Sequence, residues 1–554
     1  MVAREDFDYI IIGAGSAGCV LANRLTEDKD VRVLVLEAGP QDFNLFIHMP
    51  SAFAYPLAGT KYNWHFESEP EPFLNNRRIH CPRGRVIGGS SSINGMVYIR
   101  GHAFDYDGWA KRPGLENWSY FNCLPYFKKS ETRLKGGDAY RGKSGPLFAT
   151  TGACRNPLYQ AFIEAGRQAG YPVTEDMNGH QQEGLGPMDM TTYKGRRWSA
   201  AQAHLRPAQK RNQNLDVRSS CLVTRILFEG RKSVGVEYAR NGQVETARAT
   251  REVILSAGAI SSPQTLLLSG IGNADELKTL GIPVVQNLPG VGQNLQDHIE
   301  AYVQYECTQP VSLYSATKPL AKLGIGIEWI LTGKGLGATN HFEAGGFIRS
   351  EAGVLHPDLQ YHFLPMAVSY DGSSAATGHG YQSHIGPMRP TSRGHVKLAS
   401  ADPTRHPRLL FNYMQTEQDR KEMRAGIRHT REIMTQKAFD PFRGPELAPG
   451  PKFKSDAEID AFVRDKAESA YHPSCSCRMG SDEMAVCDGQ GRVHGIEGLR
   501  VVDASIMPDV VSGNLNVPVI MMAEKLADVI RGKPPLPPEA VPVWVHPNYQ
   551  THQR

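Results

Sequence analysis

The chain has no run of 18 or more apolar residues, so it contains no stretch long enough to cross a bilayer as a helix. Neither sign of charge prevails. The 61 Lys and Arg stand against 57 Asp and Glu, a net of +4, which excludes the basic excess of a typical nucleic-acid binder. Cysteine is sparse and scattered: nine residues, an odd number, with no C-x-x-C pair. A chain of 554 residues needs no staples, so reduced thiols in a cytoplasmic setting are expected rather than a disulfide frame. The opening Met-Val-Ala-Arg-Glu-Asp runs straight into an apolar strand and lacks the regions of a signal peptide. What is plentiful is glycine, 55 residues, about a tenth of the chain against a usual share of about 7%.

At 40% hydrophobic and 21% charged, the composition is that of a globular protein with a large core. Its length suggests two or more units. Residues 7–36 carry a strand–turn–helix–strand rhythm. Residues 40–130 are rich in Gly, Pro and aromatics and read as looped cover. Helices are expected at 155–170, 417–438, 455–470 and 519–530. Strands are expected at 217–227, 235–238, 253–256, 359–364, 395–398 and 499–503, with a β-rich stretch over 300–415. The pattern predicts an α/β unit built from the ends and middle of the chain, with an inserted unit based on an antiparallel sheet. The prolines after Gly532 predict an extended arm.

The first motif is Gly13-x-Gly15-x-x-Gly18 between a strand and a helix. Such glycines permit a tight turn, close approach of a pyrophosphate and tight helix packing. The helix start offers free N–H groups to phosphate. Glu37, at the end of the next strand, is placed to accept ribose hydroxyls. The motif alone does not choose between FAD and NAD. Further glycine-bearing segments are Arg83-Gly-Arg-Val-Ile-Gly-Gly-Ser-Ser-Ser-Ile-Asn-Gly-Met96, residues 258–272 and Pro289-Gly-Val-Gly-Gln-Asn-Leu-Gln-Asp-His298. The glycine excess is thus expected to lie in four cofactor-facing loops: 13–18, 84–95, 258–272 and 290–292. His472 precedes a proline, which holds its backbone extended and suits a rigid general base. A metal site from His472, Cys475 and Cys477 lacks the usual ligand spacing, so no metal is expected. Asp503 ends a strand, and Asn514 and Asn516 precede a helix, where either could be an ordinary cap.

These motifs, in this order, resemble the glucose–methanol–choline (GMC) oxidoreductases, a family of FAD enzymes. RGRVIGGSSSINGMVYIRG and GAISSPQTLLLSGIG are similar to its two signature patterns. YNWHFESEPEPFLNNRRIHCPRG, RPGLENWSYFNCLPYFKKSETR, GATNHFEAGGFIRS, YHFLPMAVSY and AESAYHPSCSCRMG are similar to the family's bacterial choline-oxidising members. The resemblance implies a Rossmann-like FAD-binding domain in three parts, 1–155, 216–300 and 466–532. It implies an inserted α+β substrate domain in two parts, 156–215 and 301–465, and a tail at 533–554.

It also implies site residues. Gly13, Gly15, Ser16, Gly18, Glu37 and Ala38 would hold the ADP part, with Val223 beside adenine. Trp64, Arg85, Gly89, Ser90, Asn94, Gly95, Met96, Val97, Ala257, Asp503, Asn514 and Val517 would line the rest of FAD. Ile93 stands where some relatives carry a histidine bonded to flavin, so non-covalent FAD is expected. His472 would take the substrate's hydroxyl proton and Asn516 would hydrogen-bond the oxygen, while hydride passes to flavin N5. For choline, Glu343 would face the quaternary ammonium, with Tyr471, Tyr62 and Trp64 as aromatic neighbours and His379 or His384 near the pocket. The product would be betaine aldehyde, and its hydrate could go on to glycine betaine. The resemblance favours a membrane quinone as acceptor, with peripheral contact at the inner face of the cell membrane; oxygen is the other acceptor in the family. A neutral aliphatic alcohol as substrate, or a hydroxynitrile lyase on the same fold, stays open at this point.

Overall fold

The computed structural model describes residues 6–368 and 378–554; Ser369 and Tyr370 of the YHFLPMAVSY segment lie outside them. Two seven-stranded sheets organise the chain. In the first, Asp6–Ile12 lies parallel between Val33–Leu36 and Gln243–Leu255. Leu215–Arg218 extends it at one side and Leu499–Val501 joins Gln243–Leu255 in parallel. The far half of the long Gln243–Leu255 strand leaves this core to pair antiparallel with Lys232–Arg240, which pairs with Cys221–Glu229. Continuous apolar runs such as Ile10-Ile11-Ile12 and Val33-Leu-Val-Leu36 are buried on both faces, as central parallel strands require. The carboxyl ends of four strands therefore converge at Gly13, Glu37, Ser256 and Asp503.

The helices Ser16–Leu25 and Asn516–Ile530 are joined by a two-pronged ion pair in which Arg24 donates to both oxygens of the fully buried Glu524, at 2.8 Å each. The second sheet orders Arg443–Ala448, Ile299–Cys307, Gly380–Pro387, Leu359–Leu364, Ala344–Ile348 and Gly184–Pro187, with Glu468–Ser469 also paired to Ile299–Cys307. Its strands are antiparallel. Alternation along them decides the site. Leu359, Tyr361 and Phe363 enter the core shared with helices Pro157–Gln168 and Glu417–Met434, while His362 and Leu364 face a cavity. Likewise Ile299, Ala301, Val303 and Tyr305 are core, and Glu300 lines the cavity.

Several expectations change. Residues 40–130 include the helices Ala103–Ala110 and Tyr120–Ser130. The first is started by a capping box of His102 and Asp105, an unusual pair of caps. The expected strand at 217–227 is two strands, broken at Ser220, whose φ is +57°. Within the β-rich stretch, Pro319–Thr332 is a helix, begun by a proline and ended by left-handed Gly333. The C-terminal arm is docked. Trp544 N donates to the His180 carbonyl, Tyr140 OH donates to the Pro542 carbonyl, and Arg349, buried, donates Nη1 to the carbonyls of Tyr549 and His552.

Candidate active site

A cavity of about 510 Å³ runs from the strand ends of the first sheet to the polar face of the second. Gly13, Gly15, Ser16, Glu37, Ala38, Val223, Ala257 and Asp503 line its first part. A Cβ on Gly13, at φ +98°, would lie 2.6 Å from the Ser256 carbonyl oxygen, and one on Gly18 would lie 2.0 Å from that of Gly13. Glycine there is forced by packing of strand, turn and helix. The Gly88–Gly89 turn docks on this loop: Gly88 N donates to the Ala14 carbonyl at 2.7 Å, and a Cβ on Gly89 would meet Gly15 Cα at 2.7 Å. Two loops distant in sequence thus form one cradle of exposed backbone.

Glu37 accepts from Ala14 N at 2.9 Å and Gly39 N at 2.8 Å. Burial raises its pKa to about 7, against the pull of those two N–H groups. Asp503 accepts from Gly258 N, Ser262 Oγ and Ser505 N, which fixes the start of the next helix. Ser90, Asn94, Gly95, Met96, Val97 and Trp64 line the middle of the cavity. Arg197 braces this loop, donating Nη1 to the Asn94 carbonyl at 2.7 Å and to Asn94 Oδ1 at 2.8 Å.

The reactive corner comes from one short segment, Gln296 to Glu300, running antiparallel to residues 468–474. Asp297 accepts from Ser469 Oγ, Tyr413 OH and His472 N at 2.5, 2.5 and 2.6 Å. Arg83 donates to the Tyr471 carbonyl at 2.7 Å. These bonds hold Tyr471 at φ +66°, a conformation a bulky residue adopts only under such constraint. His472 then projects into the cavity, with its Nδ1 3.0 Å from His298 Nδ1 and its Nε2 3.0 Å from Asn514 Nδ2.

The tautomers follow from the partners. His298 Nε2 faces the Met388 carbonyl at 3.0 Å, which can only accept, so that nitrogen carries the proton. Burial lowers the His298 pKa to about 4, so the ring is neutral and its Nδ1 accepts. His472 Nδ1 therefore donates. Burial, and then His298, hold His472 well below the ordinary imidazole range, so its Nε2 keeps a lone pair for a proton. Gln360 Nε2 donates to Asn514 Oδ1 at 3.1 Å and turns the Asn514 amide so that its N–H₂ faces His472. One of those hydrogens meets His472, and the other is open to a bound oxygen.

The remaining wall holds Glu300, His362, His384 and Phe342. His384 lies 3.3 Å from Glu300 Oε1 and is opposite His362 in strand register. The Phe342 ring meets both imidazoles edge-on at 5.5 and 5.9 Å. A carboxylate, imidazole rings and a phenyl ring thus share one chamber with the base.

The structure moves several expected residues. Asn516 is not the partner of His472: it is the first residue of the following helix, and its Oδ1 accepts from Ser16 Oγ at 2.7 Å. Asn514 takes that place because Gly513, at φ +127°, turns the chain sharply; a Cβ there would strike Ile99 at 2.5 Å. Glu343 is not in the chamber. Its carboxylate accepts from Cys154 N at 2.7 Å and Thr339 Oγ1 at 2.8 Å, behind the wall. Glu300, not singled out from sequence, is the acid that lines it among the described residues. Val517 is core, and Val519 faces the cavity instead. Arg85 lies outside, stacked 5.1 Å over Trp64. Tyr62 packs with Ile47 and Val86, and His379 lies against Ser312, both away from the cavity. Gly290 and Gly292 face the carbonyls of Met484 and Val396 rather than a cofactor. Cys475 and Cys477, for which no metal role was expected, are buried in the core of the first sheet.

A parallel sheet with a glycine cradle at its carboxyl edge, joined to a chamber holding a neutral imidazole, defines a dinucleotide-binding oxidoreductase. Residues 7–300 and 390–523 match the GMC oxidoreductase family. The oxygen-dependent choline dehydrogenase of Paraburkholderia phymatum is 59% identical over 549 residues, 98% of this chain and 96% of that one. That of Pseudomonas aeruginosa is 58% identical over 547 residues, covering 98% and 97%. Among solved structures, pyridoxine 4-oxidase from Mesorbium loti superposes with a TM-score of 0.87 at 32% identity, over 95% of this chain and all of that one. A formate oxidase reaches 0.90 at 26%, over 96% and 99%. The chain belongs to the GMC oxidoreductase family and is an FAD-dependent enzyme acting on alcohols. The cradle fits that cofactor: Gly13, Gly15, Gly89 and Gly95 line the cavity without side chains of their own, and Glu37 and Asp503 stand at the strand ends.

Proposed function

We propose that this enzyme oxidises choline to betaine aldehyde, with glycine betaine as the product of a second round on the aldehyde hydrate. The observation that carries the reading is Glu300 lining the same chamber as His472. A quaternary ammonium forms no hydrogen bond and is recognised by a carboxylate and aromatic faces. Glu300 and Phe342 supply these. An ion pair at about 5 Å contributes about 3 kcal/mol at an effective dielectric constant of about 20. The full-length similarity to choline dehydrogenases supports the same substrate.

In the proposed mechanism, His472 Nε2 accepts the hydroxyl proton of choline. Asn514 Nδ2 donates to the oxygen as its charge grows. His298 and Asp297 keep the base in one tautomer and one position. Bound FAD supplies the hydride acceptor. FAD contacts are assigned to Gly13, Gly15, Ser16, Glu37, Ala38, Val223, Ser90, Asn94, Gly95, Met96, Val97, Trp64, Ala257, Asp503 and Asn516, which line the cavity. Ile93 offers no nucleophile, so the flavin is held without a covalent bond at that position. The reading assigns the FAD domain to the first sheet with its cradle and the substrate domain to the second sheet.

The reading takes a membrane quinone as acceptor, on the family resemblance. Oxygen, which the names of the two relatives carry, is the competing outcome. Among the described residues no helix is long and apolar enough to cross a membrane, and peripheral contact is part of the proposal.

Anaerobic flavin bleaching tests it. Choline should bleach the flavin rapidly, and its neutral carbon isostere should need about a hundredfold more substrate. Glu300→Gln should erase most of that difference, whereas Glu343→Gln should leave it intact. Equal responses to both alcohols in the parent enzyme would sink choline as substrate. No bleaching at all would turn the reading to a lyase. Mixing reduced enzyme with air or a soluble quinone then identifies the faster acceptor.

A further inference from the structure

The Pro319–Thr332 helix wears its apolar side outward. Leu320, Leu323, Ile327, Ile330 and Leu331 recur at helical spacing on one face and are 84%, 61%, 49%, 53% and 78% exposed. Its opposite face packs: Trp329 is fully buried against Met49 and Ala52, with Ile325 beside it. A helix on a water-facing surface has the reverse arrangement. The apolar surface continues on the neighbouring segment. Tyr55, exposed, accepts from Lys322 Nζ at 3.3 Å and stacks on exposed Phe46 at 4.9 Å, with Leu45 adjacent. The rim is basic. Lys318, Lys322, Lys334 and Arg196 are exposed around the helix, and Glu328 is its one acid. The Arg196 guanidinium lies 4.7 Å over the Trp329 ring.

We propose that this ledge is a docking face for a lipid bilayer carrying anionic headgroups, with the helix lying flat in the interface. An apolar stripe edged by Lys and Arg matches that environment on both counts. A second copy of the chain fits worse, because a twofold contact would bring two basic rims together. The ledge also adjoins the site. The segment beneath it, containing Phe53, Ala54 and Leu57, forms part of the cavity wall, so a docked bilayer lies across that wall from the chamber. This gives the proposed membrane contact a surface. It does not depend on choline being the substrate, because binding is read without turnover.

The test is sedimentation of the holoenzyme with vesicles of phosphatidylcholine, with and without phosphatidylglycerol. The holoenzyme should sediment with the anionic vesicles, less with neutral ones, and less again at high salt. Leu320→Glu with Leu331→Glu should weaken partitioning about a hundredfold, each leucine accounting for about tenfold. Flavin content, melting temperature and turnover of choline in solution should stay as in the parent. Lys318→Glu with Lys322→Glu, which leaves the stripe intact, should weaken binding to anionic vesicles about thirtyfold and to neutral ones little. The proposal is overturned if the parent fails to sediment or if the leucine variant still binds. It is also overturned if light scattering shows a dimer that the leucine variant splits while vesicles bind neither form; the ledge then covers a second copy.

Discussion

Replacing Asn514 should cost far more in chemistry than replacing Asn516, although the two stand only two residues apart. Asn514 Nδ2 lies 3.0 Å from His472 Nε2 and is aimed by Gln360. It is the side-chain amide positioned to donate to an oxygen whose proton has gone to that imidazole. Removing one such preorganised donor typically costs about 10²–10³ in rate, or about 2.7–4 kcal/mol. Asn514→Ala should therefore slow flavin reduction at saturating choline by about that factor. Asn514→Asp, nearly the same shape, should be slower still, since it loses the donor and sets a negative charge against the growing one. Asn516→Ala removes a bond to Ser16 Oγ, worth about 1 kcal/mol. That loss falls on the junction of two helices and the cradle, so it should appear in flavin retention and melting temperature. Stopped-flow reduction under anaerobic conditions, with flavin content from absorbance, separates the two effects. If Asn516→Ala loses a hundredfold in the reduction step while Asn514→Ala stays within about threefold of the parent, the geometric assignment is refuted and the pairing read from sequence stands.

Three further outcomes follow from the same contacts. His298→Ala takes away the acceptor for His472 Nδ1 and lets the base adopt the wrong tautomer, so reduction should slow by about tenfold or more while choline KM changes little; unchanged reduction would refute the tautomer argument. Gly89→Ala sets a Cβ 2.7 Å from Gly15 Cα and should abolish flavin binding, seen as a colourless but folded protein; a yellow variant with parent flavin content would show that the two loops can part. Deleting residues 534–554 strips the buried Arg349 of two carbonyl partners, leaving it Glu183, and should lower stability by about 2–3 kcal/mol in denaturant titration; an unchanged midpoint would mean that the arm contributes nothing.

What the sequence made legible was what is local. The cradle follows from glycines beside an apolar strand, because turn, phosphate approach and helix packing all act within a few residues. The β-rich unit and the docking of strand ends follow from period and apolar runs. The errors share another character: each needed a direction in space. Gly513-Asn-Leu-Asn516 offers two amides, and only the φ of Gly513 and the first turn of the helix decide which one enters the chamber. His341-Phe-Glu343 and His298-Ile-Glu300 look alike as strings. They differ in that Glu300 stands two residues after a histidine hydrogen-bonded to the base, so that both side chains emerge on one side of an extended strand. That signal was present in the alternation of the segment running from Ile299 to Cys307, where apolar residues mark the opposite face. Glycines gave the same kind of false lead. Gly292 and Gly13 both forbid a Cβ because each faces a carbonyl of its own chain, that of Val396 and that of Ser256, but of the two only Gly13 also lines the cavity. A glycine reports that backbone is crowded, and what crowds it is decided by topology. The amphipathic period of the Pro319–Thr332 helix carries the same lesson in reverse: its apolar stripe reads as core by composition, and only the placement of Trp329 on the other side shows that the stripe faces out.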